Sequence, residues 1–144
     1  MVYFIGAGPG AADLITVRGR DILERAEVVI YTGSLVSKEH LEYCRPDAQI
    51  YNSAGMTLED VMEIMTMEEQ MGKTVVRLHT GDPSIYGAIR EQMVELDRVG
   101  IQYEVVPGVS SFTGAAAAIN REFTLPGVTQ TVILTRIEGK TPVP

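Results

Sequence analysis

Short β-prone runs that stop at glycine constrain this chain more than any other feature. Val2-Tyr3-Phe4-Ile5 stops at Gly6, and Val28-Val29-Ile30-Tyr31 stops at Thr32-Gly33. Thr74-Val75-Val76-Arg77-Leu78-His79 stops at Thr80-Gly81, and the run from Ile101 to Val106 stops at Pro107-Gly108. Gln49-Ile50-Tyr51 is a weaker run of the same kind. Short apolar runs bounded by turn formers read as buried strands. Helical patterns separate them. Thr16 to Ala26 places Val17, Leu23 and Ala26 at helical spacing behind Thr16 as N-cap. Ser37 to Tyr43 reads as a short helix closed by Arg45-Pro46-Asp47. Thr57-Leu58-Glu59-Asp60 has capping-box spacing and opens a helix that runs to Gly72. Another helix is expected from about Tyr86 to Val99, closed by Gly100, and Ser110 or Ser111 caps an alanine-rich helix through Ala118.

Repeated strand-helix alternation predicts an α/β fold: a three-layer α/β/α domain around a mostly parallel five-stranded sheet. The pattern breaks after Leu125-Pro126-Gly127. Thr129 to Thr135 (TQTVILT) predicts a sixth strand, with no helix after it and no evident partner. The expected organisation is therefore an N-terminal α/β domain over 1–124. Residues 125–144 would then be a linker and the first strand of a second domain outside this chain. A sixth edge strand of the same sheet is the competing reading.

Composition narrows the function classes. Lys plus Arg is 12 and Asp plus Glu is 19, a net charge of −7, with no local basic cluster. Nucleic acid and anionic membrane surfaces are disfavoured as partners. No apolar run approaches the ~20 residues of a membrane span, and MVYFIGAGPG lacks the features of a secretory signal. The single cysteine, Cys44, allows no internal disulfide and suits a reducing cytoplasm. Glu59, Asp60, Glu63, Glu68 and Glu69 read as a solvated helix face, and the methionines of that helix as core filler.

Ligands of open parallel sheets gather at the carboxyl ends of strands, and three glycine-containing loops fall there. In the first, Gly6, Gly8 and Ala11 match the dinucleotide pattern G-x-G-x-x-[GA]. The second strand offers no acid for a ribose, however, and Pro9 removes an N–H from the loop, so nicotinamide or flavin is disfavoured. In the second loop, Gly81 permits close ligand approach. Pro83 biases Asp82 toward an extended conformation. Its carboxylate suits ribose hydroxyls or an ammonium, with Thr80 adding a hydroxyl; plain helix capping explains Asp82 equally well. In the third loop, Ser110 and Ser111 stand at a helix start, where they could hold an anion or an adenine edge, or simply cap the helix. His40 and His79 lack partners at metal-ligand spacing, so no metal site is expected. Cys44 has no identifiable base.

Read in order, three motifs resemble the tetrapyrrole methylase family over the whole chain. The first is Gly6-Ala7-Gly8-Pro9-Gly10, with Leu14-Ile15-Thr16-Val17-Arg18-Gly19 behind it. The second is Gly81-Asp82-Pro83-Ser84-Ile85-Tyr86-Gly87, and the third is Val106-Pro107-Gly108-Val109-Ser110-Ser111. Tyr31-Thr32-Gly33-Ser34-Leu35-Val36 and Thr129 to Arg136 look like the branch that acts on corrin precursors in cobalamin biosynthesis. Many relatives carry an acid after Gly-Pro-Gly and an Asp after the second strand. Ala11 and Thr32 stand there here, which argues against the uroporphyrinogen and diphthine branches.

The resemblance implies S-adenosyl-L-methionine as cofactor, S-adenosyl-L-homocysteine as product, a tetrapyrrole substrate, two α/β domains and a homodimer. It carries cofactor contacts onto Pro9, Thr80, Gly81, Asp82, Ile85, Ser110 and Ser111, and assigns no catalytic base. Arg18, Arg20 and Arg121 are candidate contacts for substrate carboxylates. A non-catalytic α/β nucleotide-binding module is the reading from another class.

Overall fold

The computed structural model describes residues 1–137 and 143. Five strands form one sheet: β1 (Val2–Gly6), β2 (Val28–Tyr31), β3 (Gln49–Asn52), β4 (Val75–His79) and β5 (Tyr103–Val106). Their order is β3-β2-β4-β1-β5, and every pairing is parallel. Parallel neighbours need a crossover, and the intervening segments supply it. These hold α1 (Val17–Leu23), a 3-10 segment (Lys38–Tyr43), α2 (Leu58–Gln70) and α3 (Ile89–Val99). A further helix, α4 (Ser111–Ala118), follows β5.

The period-two alternation of the inner strands separates two cores. Ile5, Val29, Tyr31, Val76 and Leu78 pack with Ile22 and Leu23 of α1 and with Val36, Leu41 and Tyr43. On the opposite face Val2, Phe4, Val28, Ile30 and Val75 pack with Val61 and Met65 of α2 and Ile89 and Leu96 of α3. That is the expected three-layer domain. The anticipated caps also form. Thr16 Oγ1 accepts from the Gly19 amide, and Thr57 and Asp60 complete a reciprocal capping box.

Three expectations change. The Ser37–Tyr43 segment is a 3-10 helix rather than an α-helix. The third helix begins at Ile89, not near Tyr86, because Tyr86 and Ala88 both have positive φ, 57° and 49°. Left-handed residues interrupt a right-handed helix and delay its start. Thr129 to Thr135 carries no strand. A strand exists through its partner's ladder, and no described strand pairs with this segment. Instead Leu125 and Thr129 close a turn over Gly127 at φ 76°, and Ile133 beyond it is 83% exposed.

Residues Met1–Gly114 form one compact unit, with the sheet, and Ala115–Pro144 form another. No helix among the described residues is long and apolar enough to cross a membrane.

Candidate cofactor site

The strand order explains why the three loops meet. β1 lies between β4 and β5, and the registers Gly6↔His79 and Ile5↔Val106 bring all three strands to their ends at one level. The loops that leave them are therefore neighbours. The first two are stitched together: the Gly8 amide donates to Gly81 O at 3.2 Å, and the Gly81 amide returns to Gly8 O at 2.8 Å. The Ala7 amide donates to His79 O at 2.7 Å. Gly6 lies so close to both other loops that a Cβ there would sit 2.5 Å from Gly81 O and 2.6 Å from Gly108 Cα. Gly6 is required by backbone crowding, and so is Gly108, where a Cβ would run into Gly81 O. Gly81, at φ 61°, is required by its conformation instead.

Asp82 joins the second loop to the third. Its Oδ1 accepts from the Ser84 amide at 2.8 Å, closing its own turn, and its Oδ2 accepts from the Gly108 amide at 3.0 Å. The carboxylate is thus a staple as well as a candidate ligand contact, and each oxygen retains acceptor capacity. His40 fixes the first loop from below. It is buried, and its Nε2 donates to Ala7 O at 2.7 Å while Nδ1 faces Ser37 O at 3.1 Å. The histidine that lacked a partner in the sequence is a pin for the loop backbone.

Beside these loops opens a pocket of about 480 Å³, within the range of small-molecule sites. Thr80, Gly81, Asp82, Ile85, Ser110 and Ser111 line it, together with Thr32, Leu35 and Tyr86. Pro9 does not line it. Its ring lies against Gly114, where a Cβ would come within 2.8 Å of Pro9 Cγ. The left-handed Tyr86 and Ala88 are both in the pocket wall, and strain of this kind gathers at functional sites.

Three buried polar residues that the motifs do not single out stand in the same wall: Arg77, His79 and Gln92. Arg77 projects from the middle of β4 onto the α2–α3 side. Its Nη1 donates to Ile30 O at 3.2 Å. Burial pushes its guanidinium down to about 10. Burial first, and the Arg77 charge second, push His79 down to about 3, so its imidazole is neutral at physiological pH. A charged residue inside an otherwise apolar central strand was the available signal. Of the arginines nominated from the sequence, Arg18 is paired with Glu104 at 3.7 Å and Arg20 with Asp21 at 2.9 Å. Neither lines the pocket, and Arg121 belongs to the second compact unit.

The dinucleotide reading fails on geometry. In that motif the glycine loop opens directly onto a helix N-terminus that faces the pyrophosphate. Here a 3-10 turn, Ala12–Leu14, intervenes and α1 begins only at Val17.

Residues 1–143 match the family model of the Tetrapyrrole (Corrin/Porphyrin) Methylases. A cobalt-precorrin-4 C(11)-methyltransferase of Methanocaldococcus jannaschii is 55% identical over 143 residues, covering 99% of this chain and 55% of that protein. The chain thus spans about half the length of this curated relative. The solved structure of a cobalt-precorrin-4 methyltransferase of cobalamin biosynthesis superposes with a TM-score of 0.96 at 55% identity, over 99% of this chain and 60% of the other. A uroporphyrin-III C-methyltransferase from Thermus thermophilus, solved in complex with S-adenosylhomocysteine, gives 0.72 at 30% identity over 90% of this chain and 52% of the other.

Proposed function

This chain belongs to the tetrapyrrole (corrin/porphyrin) methylases, and on that premise we propose that it is the cofactor-binding part of an S-adenosylmethionine-dependent enzyme that methylates C-11 of precorrin-4 or cobalt-precorrin-4. One observation carries the reading. The loops after β4 and β5 line one pocket, joined to each other by Asp82 and to the loop after β1 by the Gly8–Gly81 pair, with an acid, hydroxyls and free space where a small polar molecule would lie. The chemistry of the donors suits this cofactor. Asp82 offers carboxylate oxygens to ribose hydroxyls or an ammonium, Thr80 adds a hydroxyl, and Ser110 and Ser111 present hydroxyls at the start of α4. Gly81 keeps the floor free of side-chain atoms. Pro9, which stands off the pocket wall, remains a contact only by family resemblance.

When bound, the cofactor supplies a methyl group already activated on sulfonium sulfur, for transfer to a ring carbon of the macrocycle. The residues of this chain hold and orient. Asp82 locks the second loop to the third, and Ile85 and Leu35 contribute apolar wall that excludes water. No base for the substrate proton is assigned.

The same reading makes residues 1–124 the N-terminal domain and assigns 125–144 to a linker and the first segment of a second domain that completes the cleft. The exposed β-branched segment around Ile133 supports that organisation, since such a run becomes a strand once a partner is supplied. The reading also carries a cytoplasmic homodimer, which sedimentation of the two-domain protein checks.

The test is a methyl-transfer assay on the two-domain protein with labelled S-adenosylmethionine and three acceptors: precorrin-4, cobalt-precorrin-4 and uroporphyrinogen III. Label in either of the first two supports the proposal. Label in uroporphyrinogen III alone moves the protein to another branch of the family.

A further inference from the structure

Arg77 takes a full charge into the interior with no acid to meet it. The residue is 8% exposed. Its Nε has no hydrogen-bond partner, and no ion pair to it is found among the described residues. Asp82, the one acid in the pocket wall, is held by the Ser84 and Gly108 amides instead. Two further side chains in that wall are equally incomplete. His79, 5% exposed, leaves Nε2 without a partner. Gln92, also 5% exposed, donates through Nε2 to Ala88 O at 3.1 Å and leaves Oε1 without one. Arg77 and Gln92 also line a smaller cavity of about 130 Å³ adjoining the pocket, with Ser53 and Thr57.

Buried polar groups are normally satisfied, and buried charges are normally paired. The Gln92 oxygen is an acceptor and calls for a donor, but the unmet nitrogens of Arg77 and His79, in one pocket wall, have a common explanation if the missing partner arrives with the ligand. That partner must be an anion, because the unmet group is a cation. A planar fork of N–H donors fits a carboxylate. His79, neutral beside it, adds an N–H donor without adding charge.

We infer that Arg77, assisted by His79, forms a subsite for a carboxylate group of a bound ligand. The inference rests on the methyltransferase reading above, in which both ligands carry carboxylates. The cofactor has one at its amino-acid end, and the macrocycle has several on its acetate and propionate arms. It also resolves a difficulty for an acidic domain with a polyanionic substrate: the cation that matters is inside the pocket, not among the surface arginines.

The experiment compares wild type, Arg77→Met and Arg77→Lys in the two-domain protein. Calorimetry uses S-adenosylhomocysteine and 5′-methylthioadenosine, which has the same thioether nucleoside without the amino-acid end. Quenching of a stable polycarboxylate porphyrin and of its methyl ester reads the second source. A cofactor carboxylate at Arg77 predicts at least tenfold weaker S-adenosylhomocysteine binding in Arg77→Met, unchanged 5′-methylthioadenosine binding, and recovery in Arg77→Lys. A macrocycle carboxylate predicts unchanged binding of both nucleosides, with at least tenfold weaker binding of the porphyrin acid but not of its ester. Ligand-free Arg77→Met should melt no lower than wild type, since it loses an uncompensated charge. Equal affinity for every carboxylate probe in a folded variant, or a parallel loss of 5′-methylthioadenosine and a lower melting temperature, overturns the subsite alone. Wild-type protein that binds none of the four probes overturns the methyltransferase reading along with it.

Discussion

The Asp82 side chain accepts the Gly108 amide at 3.0 Å, across 26 residues of sequence, and so binds the loop after β4 to the loop after β5. The same carboxylate closes its own turn on Ser84. A residue that sequence alone divides evenly between ligand contact and helix cap proves to hold the pocket's two walls together. Hydrogen bonds to a charged acceptor contribute about 1.5–3 kcal/mol each when buried, and less at this half-exposed position. Asp82→Ala should destabilise the fold by about 2 kcal/mol, speed hydrogen exchange at the Gly108 amide, and weaken S-adenosylhomocysteine binding. Asp82→Asn, which keeps one acceptor oxygen, should fall between it and wild type. Denaturant titration and amide exchange read these effects.

Gly6 is the point where all three loops touch. A methyl group there meets Gly81 O at 2.5 Å and Gly108 Cα at 2.6 Å, both backbone atoms that cannot rotate away. Overpacking of this kind costs about 1–3 kcal/mol. Gly6→Ala should lie in that range and should cut cofactor affinity by at least tenfold, because relief requires the loops to part. Chemical denaturation and calorimetry on the same variant check both effects.

Gly81 fails for a different reason. Its added Cβ would have room, with Ser110 Cα at 3.8 Å as the nearest atom, but its φ of 61° excludes a β-branched residue. Gly81→Val should therefore shift the loop backbone and abolish measurable S-adenosylhomocysteine binding. Gly81→Asn, which tolerates the left-handed region, should retain much of it. Equal affinity in both variants would contradict the argument from backbone conformation.

How far the sequence foretold this structure depended on the kind of information each feature needs. Val2–Ile5 and Val75–His79 announced themselves as strands because apolar runs and glycine stops are local signals. The adjacency of β4, β1 and β5 is not local. Motif order implied that the loops belong together, and the register Gly6↔His79 supplies the physical reason. The late start of α3 was hidden because nothing in the letters of Tyr86 and Ala88 marks a positive φ. Pro9 is a contact by family resemblance alone: its ring lies against Gly114, and it is not among the residues that line the pocket. The Thr129 to Thr135 run has strand propensity without a ladder partner, and propensity alone does not make a strand. Arg77 and His79 were readable as anomalies on a buried strand face, but the pocket they line could be seen only in three dimensions.

His79 gives the molecule a pH dependence. Burial and the Arg77 charge hold it at about 3, well below an unfolded value near 6.5. Between those values the unfolded chain binds a proton that the native chain refuses, so stability rises with pH through that window and is lost as pH falls. The His79 contribution should cost about 1.5 kcal/mol between pH 6.5 and pH 5, and nothing further above pH 7. His79→Gln should flatten that part of the stability profile. Equilibrium denaturation at pH 5, 6 and 7 on both proteins reads the difference.

The most direct measurement is an amide chemical-shift titration of the two-domain protein with millimolar S-adenosylhomocysteine. The account predicts saturable shifts that, within this chain, are confined to Thr80, Gly81, Asp82, Ile85, Ser110, Ser111 and their immediate neighbours. Shifts clustered instead between α2 and α3, or no shift at those six residues at saturating ligand, would contradict it.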